Sequence, residues 1–263
     1  MNMFDLNGVW FKYAQQWVLE DVSLHVNQGE IFGIIGPTGS GKSSILKLLS
    51  KLNIPQRGDI FLKGVDIKKI GQRSLSGTVA VVPQESAFVF PFTVAEIVLM
   101  GRSPNMTGRF FENSHDMEVA KRAMQWLDIA ELADRPVTEV SGGEKQRTII
   151  ARALAQEPEI LILDEPTASL DIGHQVAIYD LLANFNSLNS LTIILSSHDL
   201  NLASQYCHRL MLMNKGRIYA IGMADEVITE DNIREVYGCN VTVDEHPVSG
   251  RPRVTLEGSR SHR

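Results

Sequence analysis

The sequence predicts an α/β fold in which helices cover a largely parallel β-sheet. Three short apolar runs have the composition of strands that are buried on both faces, and segments of good helix formers separate them. These runs are residues 31–35, 160–163 and 192–195. The alternation of buried strands with helices is typical of a parallel sheet.

The remaining segments divide the chain into regions. Residues 1–60 read mainly as strands, and a helix is expected at 44–49 behind a glycine-rich turn. Later apolar residues recur at helical spacing without a convincing strand, which predicts a helical subdomain inserted at about 87–157. We expect one domain over 1–240 and a short C-terminal extension over 241–263, whose last six residues are a disordered end or a cloning remnant.

The composition excludes several classes of protein. The chain has 263 residues, of which 44% are hydrophobic and 21% charged, and this excludes a disordered or fibrous chain. The net charge of −6 provides no broad positive field for nucleic acid or anionic lipid. Cys207 and Cys239 fit neither a zinc site nor a disulfide framework and favour a reducing compartment. The N-terminus has no signal-peptide pattern, and no stretch is apolar enough to span a membrane.

A glycine-rich loop follows the first buried strand and precedes a helix. Residues 36–43 read GPTGSGKS and match the phosphate-binding pattern GxxxxGK[ST]. Its glycines allow successive backbone N–H groups to converge on a phosphate, and the helix N-terminus adds its dipole. Lys42 is expected to reach the β- and γ-phosphates and Ser43 to give its hydroxyl to Mg²⁺, whereas the alternative is a tight turn with an exposed lysine. The residues expected to contact the phosphates are Gly36, Pro37, Thr38, Gly39, Ser40, Gly41, Lys42, Ser43 and Ser44.

Polar side chains follow three of the other predicted strands. Asp164, after the run 160–163, is expected in the Mg²⁺ shell, and Glu165 is expected to orient or deprotonate an attacking water. Taken alone, two acids at the end of a strand are more often a solvated strand end than a functional pair. The presence of the phosphate loop in the same chain makes the functional interpretation the better one. His198 is placed to donate a hydrogen bond to a γ-phosphate oxygen, with a plain helix-start residue as the alternative. Gln84 ends a further predicted strand at 79–82 and is placed to sense Mg²⁺ or the attacking water.

A second anion-binding helix start is predicted at residues 140–147, which read VSGGEKQR. Ser141, Gly142 and Gly143 precede a helix that is expected over 145–155. The chain already has one phosphate site, so a second is redundant unless it serves another molecule. The alternative is an ordinary serine cap with flexible glycines.

These motifs resemble those of the nucleotide-binding subunit of ATP-binding cassette (ABC) transporters, from Tyr13 to about Val254. By that resemblance, Tyr13 is the aromatic residue that stacks on adenine, residues 36–43 are the Walker A loop, Gln84 the Q-loop, 140–147 the signature, 160–165 the Walker B segment, 168–171 (ASLD, ending at Asp171) the D-loop, and His198 the switch histidine. The usual signature LSGGQ reads VSGGE here, with Val140 and Glu144 as the two departures.

The resemblance implies a P-loop NTPase core with an antiparallel β subdomain and an inserted helical subdomain, and ATP and Mg²⁺ as cofactors. It also implies a head-to-tail homodimer in which Ser141 and Gly143 of one subunit close over ATP held by Lys42 of the other. The implied partners are integral membrane permease subunits and, indirectly, a substrate-binding protein, with no nucleic acid. The implied location is peripheral, at the cytoplasmic face of the cell membrane. A permease helix is expected to dock at about 87–109, whose apolar residues are alternatively core.

The segment 91–104, PFTVAEIVLMGRSP, and the tail at 228–238 and 250–254 are similar to the importers of iron-siderophore, haem and cobalamin. Zinc and manganese importers share the first segment, so their ATPases remain an alternative. A soluble ABC ATPase of DNA repair or translation is disfavoured by the single cassette and the negative charge. A non-hydrolysing module of iron–sulfur cluster assembly is disfavoured by Glu165 and His198. The transported compound cannot be inferred, because such an ATPase does not contact it.

Overall fold

The computed structural model describes residues 1–84, 90–106, 112–168 and 170–257. The chain forms two compact units, one of Met1–Lys68 together with the chain from Ile194 onward, and one of Lys69–Ile193. Within the described ranges, no helix is long and apolar enough to cross a membrane. Part of the predicted permease-docking region, Ser169 of the D-loop and the predicted disordered end at 258–263 lie outside the described residues.

The first unit begins with strands, as predicted. Its N-terminal elements are β1 (Asn2–Tyr13), β2 (Gln16–Asn27), β3 (Ile31–Ile35), α1 (Lys42–Leu49), β4 (Arg57–Leu62) and β5 (Val65–Asp66). Four of the strands form a sheet in the order β2–β1–β4–β5, in which β1 pairs antiparallel with both of its neighbours. The buried apolar residues of β1, among them Phe4, Leu6 and Val9, belong to the hydrophobic core on which this sheet packs. The antiparallel β subdomain is therefore present.

The second unit contains the helices predicted between the strands. Its elements are α2 (Gln72–Thr78), β6 (Val79–Val82), α3 (Val94–Leu99), α4 (Ser114–Trp126), α5 (Gly142–Ala155), β7 (Ile160–Leu163) and α6 (Ile172–Asn189). Strand β6 runs parallel to β7, with Val79 opposite Ile160. Between these strands the described residues hold helices and one isolated bridge, Thr93 to Pro136. Helix α5 begins three residues before its predicted start.

The chain returns to the first unit within β8 (Thr192–Ser197). The elements that follow are α7 (Leu200–Tyr206), β9 (Arg209–Asn214), β10 (Arg217–Gly222), α8 (Ala224–Val227), α9 (Glu230–Tyr237), β11 (Val241–Glu245) and β12 (Pro252–Leu256). The strand order is β10–β9–β3–β8, with β9 parallel to β3. Every residue of β3 is buried, as its apolar composition predicts, and its C-terminal end delivers the phosphate loop.

The C-terminal hairpin β11–β12 packs on α7. Asn201 exchanges two hydrogen bonds with the backbone of Val254, at 2.7 and 3.2 Å, and Ser204 Oγ donates to the Pro252 carbonyl at 2.7 Å. Arg251 Nη1 donates to the Cys207 carbonyl at 3.0 Å, just beyond the helix. The extension is therefore an integral part of the first unit. The domain boundary at 240 stays a prediction.

Candidate active site

Three glycines of the phosphate loop, Gly36, Gly39 and Gly41, have a positive φ that favours glycine. Gly36 has φ +145°, and a Cβ there would lie 2.5 Å from the Met213 carbonyl oxygen. Gly39 has φ +79°, and no atom lies within 4 Å of where its Cβ would be. The loop is therefore packed tightly at its base and open at its tip, where it leaves room for an anionic ligand. Helix α1 follows at once, with Gly41 as its N-cap.

Lys42 is held against this loop by the loop's own carbonyl groups. Its Nζ donates to the Gly36 oxygen at 2.8 Å and to the Pro37 oxygen at 3.2 Å, and the side chain is only 5% exposed. A buried ammonium group needs such acceptors, because desolvation of an unpaired charge is costly. The alternative of an exposed lysine is therefore wrong. Ser44 is buried and Ser43 half-buried, while Thr38 lies at the exposed tip.

Two further predicted residues of the first unit lie at its surface. Tyr13 ends β1 with 46% of its surface exposed, and its ring packs edge-on against Phe11 at a centroid distance of 4.8 Å. His198 is exposed directly after β8, and Asp199 caps α7 by accepting the N–H groups of Asn201 and Leu202 at 2.8 and 2.9 Å. His198 therefore lies at the start of a helix, as the alternative interpretation of this residue had it. Its side chain is exposed there.

Sequence reasoning missed Tyr237 at the end of α9. Burial raises the pKa of its phenol to about 12, against the opposing effect of the Gly36 backbone amide, which belongs to the phosphate loop. A half-buried tyrosine near that loop carried no sequence signal, because an aromatic residue at the end of a short helix reads as ordinary core.

In the second unit, β6 and β7 bring Gln84 and Glu165 together. The two strands are parallel neighbours, so the residues that follow them meet at one edge of the sheet. Gln84 Nε2 donates to Glu165 Oε2 at 2.8 Å, and Glu165 is 9% exposed. Glu165 also has φ +47°, an uncommon conformation for a residue other than glycine, and such strain clusters at active sites. The adjacent Asp164 is half-buried, and its N–H donates to the Val82 carbonyl.

The predicted signature forms a capping box at the start of α5. Ser141 Oγ accepts the Glu144 N–H at 3.3 Å, and Glu144 Oε2 accepts the Ser141 N–H at 2.7 Å. These bonds hold the pKa of Glu144 below its usual value. The Ser-x-x-Glu spacing was the sequence signal for this box, which a glutamine at position 144 would form as well. The Ser141 hydroxyl accepts in this box and keeps its own proton for donation, so capping and anion binding are compatible.

The predicted D-loop ends in a second cap, at the start of α6. Asp171 Oδ1 accepts the His174 N–H at 2.9 Å, and His174 Nδ1 lies 2.9 Å from both carboxylate oxygens. Hydrogen bonds from the His174 backbone and side chain lower the pKa of Asp171. A Cβ on Gly143 would lie 3.6 Å from Leu170 Cδ2, so this loop borders the signature.

The predicted Mg²⁺ ligands have the chemistry that this ion prefers, and their sharing of one ion stays a prediction. Among the residues described, no three His, Cys, Asp or Glu side chains form a ready-made metal site. Mg²⁺ is usually bound through one or two carboxylates plus the phosphates of a substrate, and it prefers oxygen ligands. The hydroxyl of Ser43, the amide of Gln84 and the carboxylate of Asp164 are ligands of that kind.

A buried lysine in a glycine-rich loop, between a parallel strand and a helix, defines a P-loop nucleotide-binding protein. Residues 19–168 match the family described as ABC transporter. The chain belongs to this family and carries its ATPase cassette, as the sequence motifs predict.

Three relatives of this chain are named as ATP-binding proteins of import systems. The chain is 39% identical to a hemin import ATP-binding protein of Gloeobacter violaceus, over 98% of this chain and 96% of that protein. It is 35% identical to an iron(3+)-hydroxamate import ATP-binding protein of Bacillus subtilis, over 96% and 94% of the two chains. It is 37% identical to a cobalamin import ATP-binding protein of Halobacterium salinarum, over 95% of this chain. The match spans only 63% of that last relative's length.

Solved structures confirm the fold. A proposed metal-chelate type ABC transporter in an inward-facing conformation superposes with a TM-score of 0.86 at 27% identity, covering 98% of this chain and 99% of that one. A dimeric bacterial ABC transporter cassette superposes with a TM-score of 0.75 at 26% identity, covering 84% and 98%.

Proposed function

We propose that this chain is the ATP-hydrolysing subunit that energises an ABC importer for iron-siderophore, haem or cobalamin compounds. The observation that carries the proposal is the phosphate loop with its buried, carbonyl-bound Lys42. The importer assignment is supported by relatives whose names concern hemin, hydroxamate and cobalamin import. ATPases of zinc or manganese importers are the nearest alternative.

Each site residue then has a stated task. Tyr13 stacks on adenine, and residues 36–44, Lys42 among them, cradle the phosphates. Mg²⁺, when bound, neutralises phosphate charge, and Ser43, Gln84 and Asp164 are its proposed protein ligands. Glu165 orients or deprotonates the attacking water, and its contact with Gln84 holds the carboxylate in place.

His198 donates a hydrogen bond to a γ-phosphate oxygen. Its exposed position ahead of the α7 cap leaves the imidazole accessible to a ligand. This bond forms only while the γ-phosphate is present, so it is lost on hydrolysis.

The second anion-binding helix start serves a second copy of this chain. Ser141, Gly142, Gly143 and Asp171 of one subunit contact the ATP of the other, which explains why one chain carries two such sites. Binding of ATP favours the closed dimer, and hydrolysis removes that differential binding. The cycle of closing and opening drives permease subunits, at the cytoplasmic face of the membrane.

Replacing Lys42 with alanine should weaken ATP binding at least about 10-fold, or roughly 1.4 kcal/mol, because a charge-assisted bond to phosphate is lost. Isothermal titration calorimetry measures the affinity. Lys47→Ala, at an exposed position of the same helix, is the matched control. An unchanged affinity in Lys42→Ala would contradict the assigned contact.

Replacing Ser141 with arginine should abolish the ATP-driven dimer and leave ATP binding to the single chain intact. Arginine fills the space over the signature, whereas the phosphate loop is untouched. Light scattering with ATP, in a Glu165→Gln background that blocks hydrolysis, measures the mass. Ser187→Arg, on the exposed face of α6, should still dimerise. ATP-driven dimers of Ser141→Arg would refute the role across the subunits.

The importer assignment is tested by affinity purification of the chain from detergent-solubilised native membranes. We expect a polytopic permease in stoichiometric amount, and uptake by the reconstituted complex that stops in Glu165→Gln. Recovery with nucleic acid, or without any membrane partner, would withdraw the importer assignment.

A further inference from the structure

The hydroxyl of Tyr13 has a partner that the sequence did not predict. Asn53 Nδ2 donates a hydrogen bond to Tyr13 Oη at 2.9 Å, across 40 positions of the chain. The ring itself rests edge-on against buried Phe11 and stays 46% exposed. The tyrosine is thus held at both ends of its side chain while part of its surface remains open to a ligand.

The loop that carries Asn53 also fixes the backbone beside Tyr13. Gln56 Oε1 accepts the Lys12 N–H at 2.9 Å, and Gln56 Nε2 donates to the Lys12 carbonyl at 3.4 Å. The Gln56 N–H donates to the Trp10 carbonyl at 3.0 Å. The end of β1 is therefore bonded to this loop through backbone and side chain.

Aromatic and cationic side chains reinforce the same strand end. The Trp10 and Trp17 rings make an edge contact at a centroid distance of 5.4 Å, and the Arg57 guanidinium lies 5.7 and 5.5 Å from them. Such cation–π contacts favour one arrangement of the hairpin that presents Tyr13.

The same loop is tied to the phosphate-binding helix. The Asn53 N–H donates to the Lys47 carbonyl at 3.0 Å, and Lys47 lies in α1, which begins at Lys42. A short run of bonds therefore connects the helix of the phosphate loop, Asn53 and the phenol of Tyr13. The aromatic ring and the phosphate cradle are held in one arrangement before a nucleotide binds.

We infer that Asn53 is a positioning residue for recognition of the adenine base, acting through the hydroxyl of Tyr13. Preorganisation lowers the entropy that a ligand must remove on binding, so a fixed ring binds the base more tightly than a mobile one. The inference rests on the proposed stacking role of Tyr13. It adds a residue that supports binding of the base and lies outside the predicted phosphate loop.

The test compares four variants of the full chain: Asn53→Ala, Tyr13→Phe, their double variant and Tyr13→Ala. Asn53→Ala should raise the KM for ATP about 3- to 10-fold, the effect of one hydrogen bond, and leave kcat unchanged. Tyr13→Phe keeps the ring and removes the acceptor, so it should match Asn53→Ala, and the double variant should be no worse than either. Tyr13→Ala should lose more. Asn7→Ala, exposed on the same strand, is the control and should behave as wild type.

Inorganic tripolyphosphate separates positioning from general damage, because it fills the phosphate site and has no base. Its affinity, measured by calorimetry with Mg²⁺, should be unchanged in all four variants. Weakened tripolyphosphate binding in Asn53→Ala, a normal KM for ATP, or additive effects in the double variant would each overturn the inference. Tyr13→Ala with normal ATP binding would instead refute the proposed stacking role, and the inference with it. A silent Asn53→Ala beside a defective Tyr13→Ala would refute the inference alone.

Discussion

Replacing Glu165 with glutamine should slow ATP turnover about 100-fold or more while ATP binding remains intact. The substitution keeps the shape of the side chain and removes its basicity and charge. The resulting amide oxygen is still able to accept the hydrogen bond from Gln84, which in the native protein spans 2.8 Å. A 100-fold loss corresponds to a barrier increase of about 2.7 kcal/mol, within the usual contribution of a general base.

Steady-state phosphate release gives the rate, and fluorescence titration with a nucleotide analogue gives the affinity. Glu118→Gln, at an exposed position of α4, is the matched control and should turn over normally. Normal turnover in Glu165→Gln would remove the base role from this carboxylate. Loss of ATP binding as well would indicate that the residue acts mainly in binding.

The sequence predicted the elements of the fold most accurately where the chemistry of neighbouring residues determines the local structure. The glycines of residues 36–43 must adopt conformations that other residues avoid, so their spacing is sufficient to indicate the loop. The strands at 31–35 and 160–163 were equally clear, since continuous apolar runs between polar segments need burial on both faces. The start of α5 at Gly142 was predicted late, because two glycines in sequence read as loop although they follow a serine cap.

The sequence did not predict hydrogen bonds between residues that are far apart along the chain. Gln84 and Glu165 are 81 positions apart, and only the pairing of β6 with β7 brings them within hydrogen-bond distance. The bond from Asn53 to Tyr13 depends in the same way on the path of the loop after α1. The motif pattern indicated a role for Gln84 but not its bond to Glu165, and Asn53 belongs to no pattern at all. Both contacts become visible only once the strands are in register.

Arg102 is another residue whose contacts the sequence did not predict. Its substitution is the second one for which we expect a large effect. The side chain is 3% exposed, and its Nε donates to Asp116 Oδ1 at 3.1 Å. Its Nη1 donates to the Ala155 carbonyl at 2.7 Å and to Glu157 Oε2 at 2.8 Å. One guanidinium thus joins the first turn of α4 to the end of α5. From the sequence, this arginine was noted only as part of the segment 91–104 that is similar to importer ATPases. In the structure it anchors the helical region.

Arg102→Ala should destabilise the protein by about 3–5 kcal/mol, because Asp116 is fully buried and would lose its bond to the Arg102 guanidinium. We expect the thermal midpoint of the full chain to fall by about 10 °C, as scanning calorimetry measures it. Arg122→Ala, at an exposed position of α4, should change the midpoint little.

The two carboxylates of the network separate a charge effect from a packing effect. Adding Asp116→Asn to Arg102→Ala should recover part of the loss, because the buried side chain that faced the guanidinium then carries no charge. Glu157→Gln should cost little, since that side chain is 48% exposed and water screens its pairing. A double variant no more stable than Arg102→Ala would assign the destabilisation to the cavity left by the arginine. A midpoint for Arg102→Ala equal to that of Arg122→Ala would show that the buried pair does not hold the two helices together.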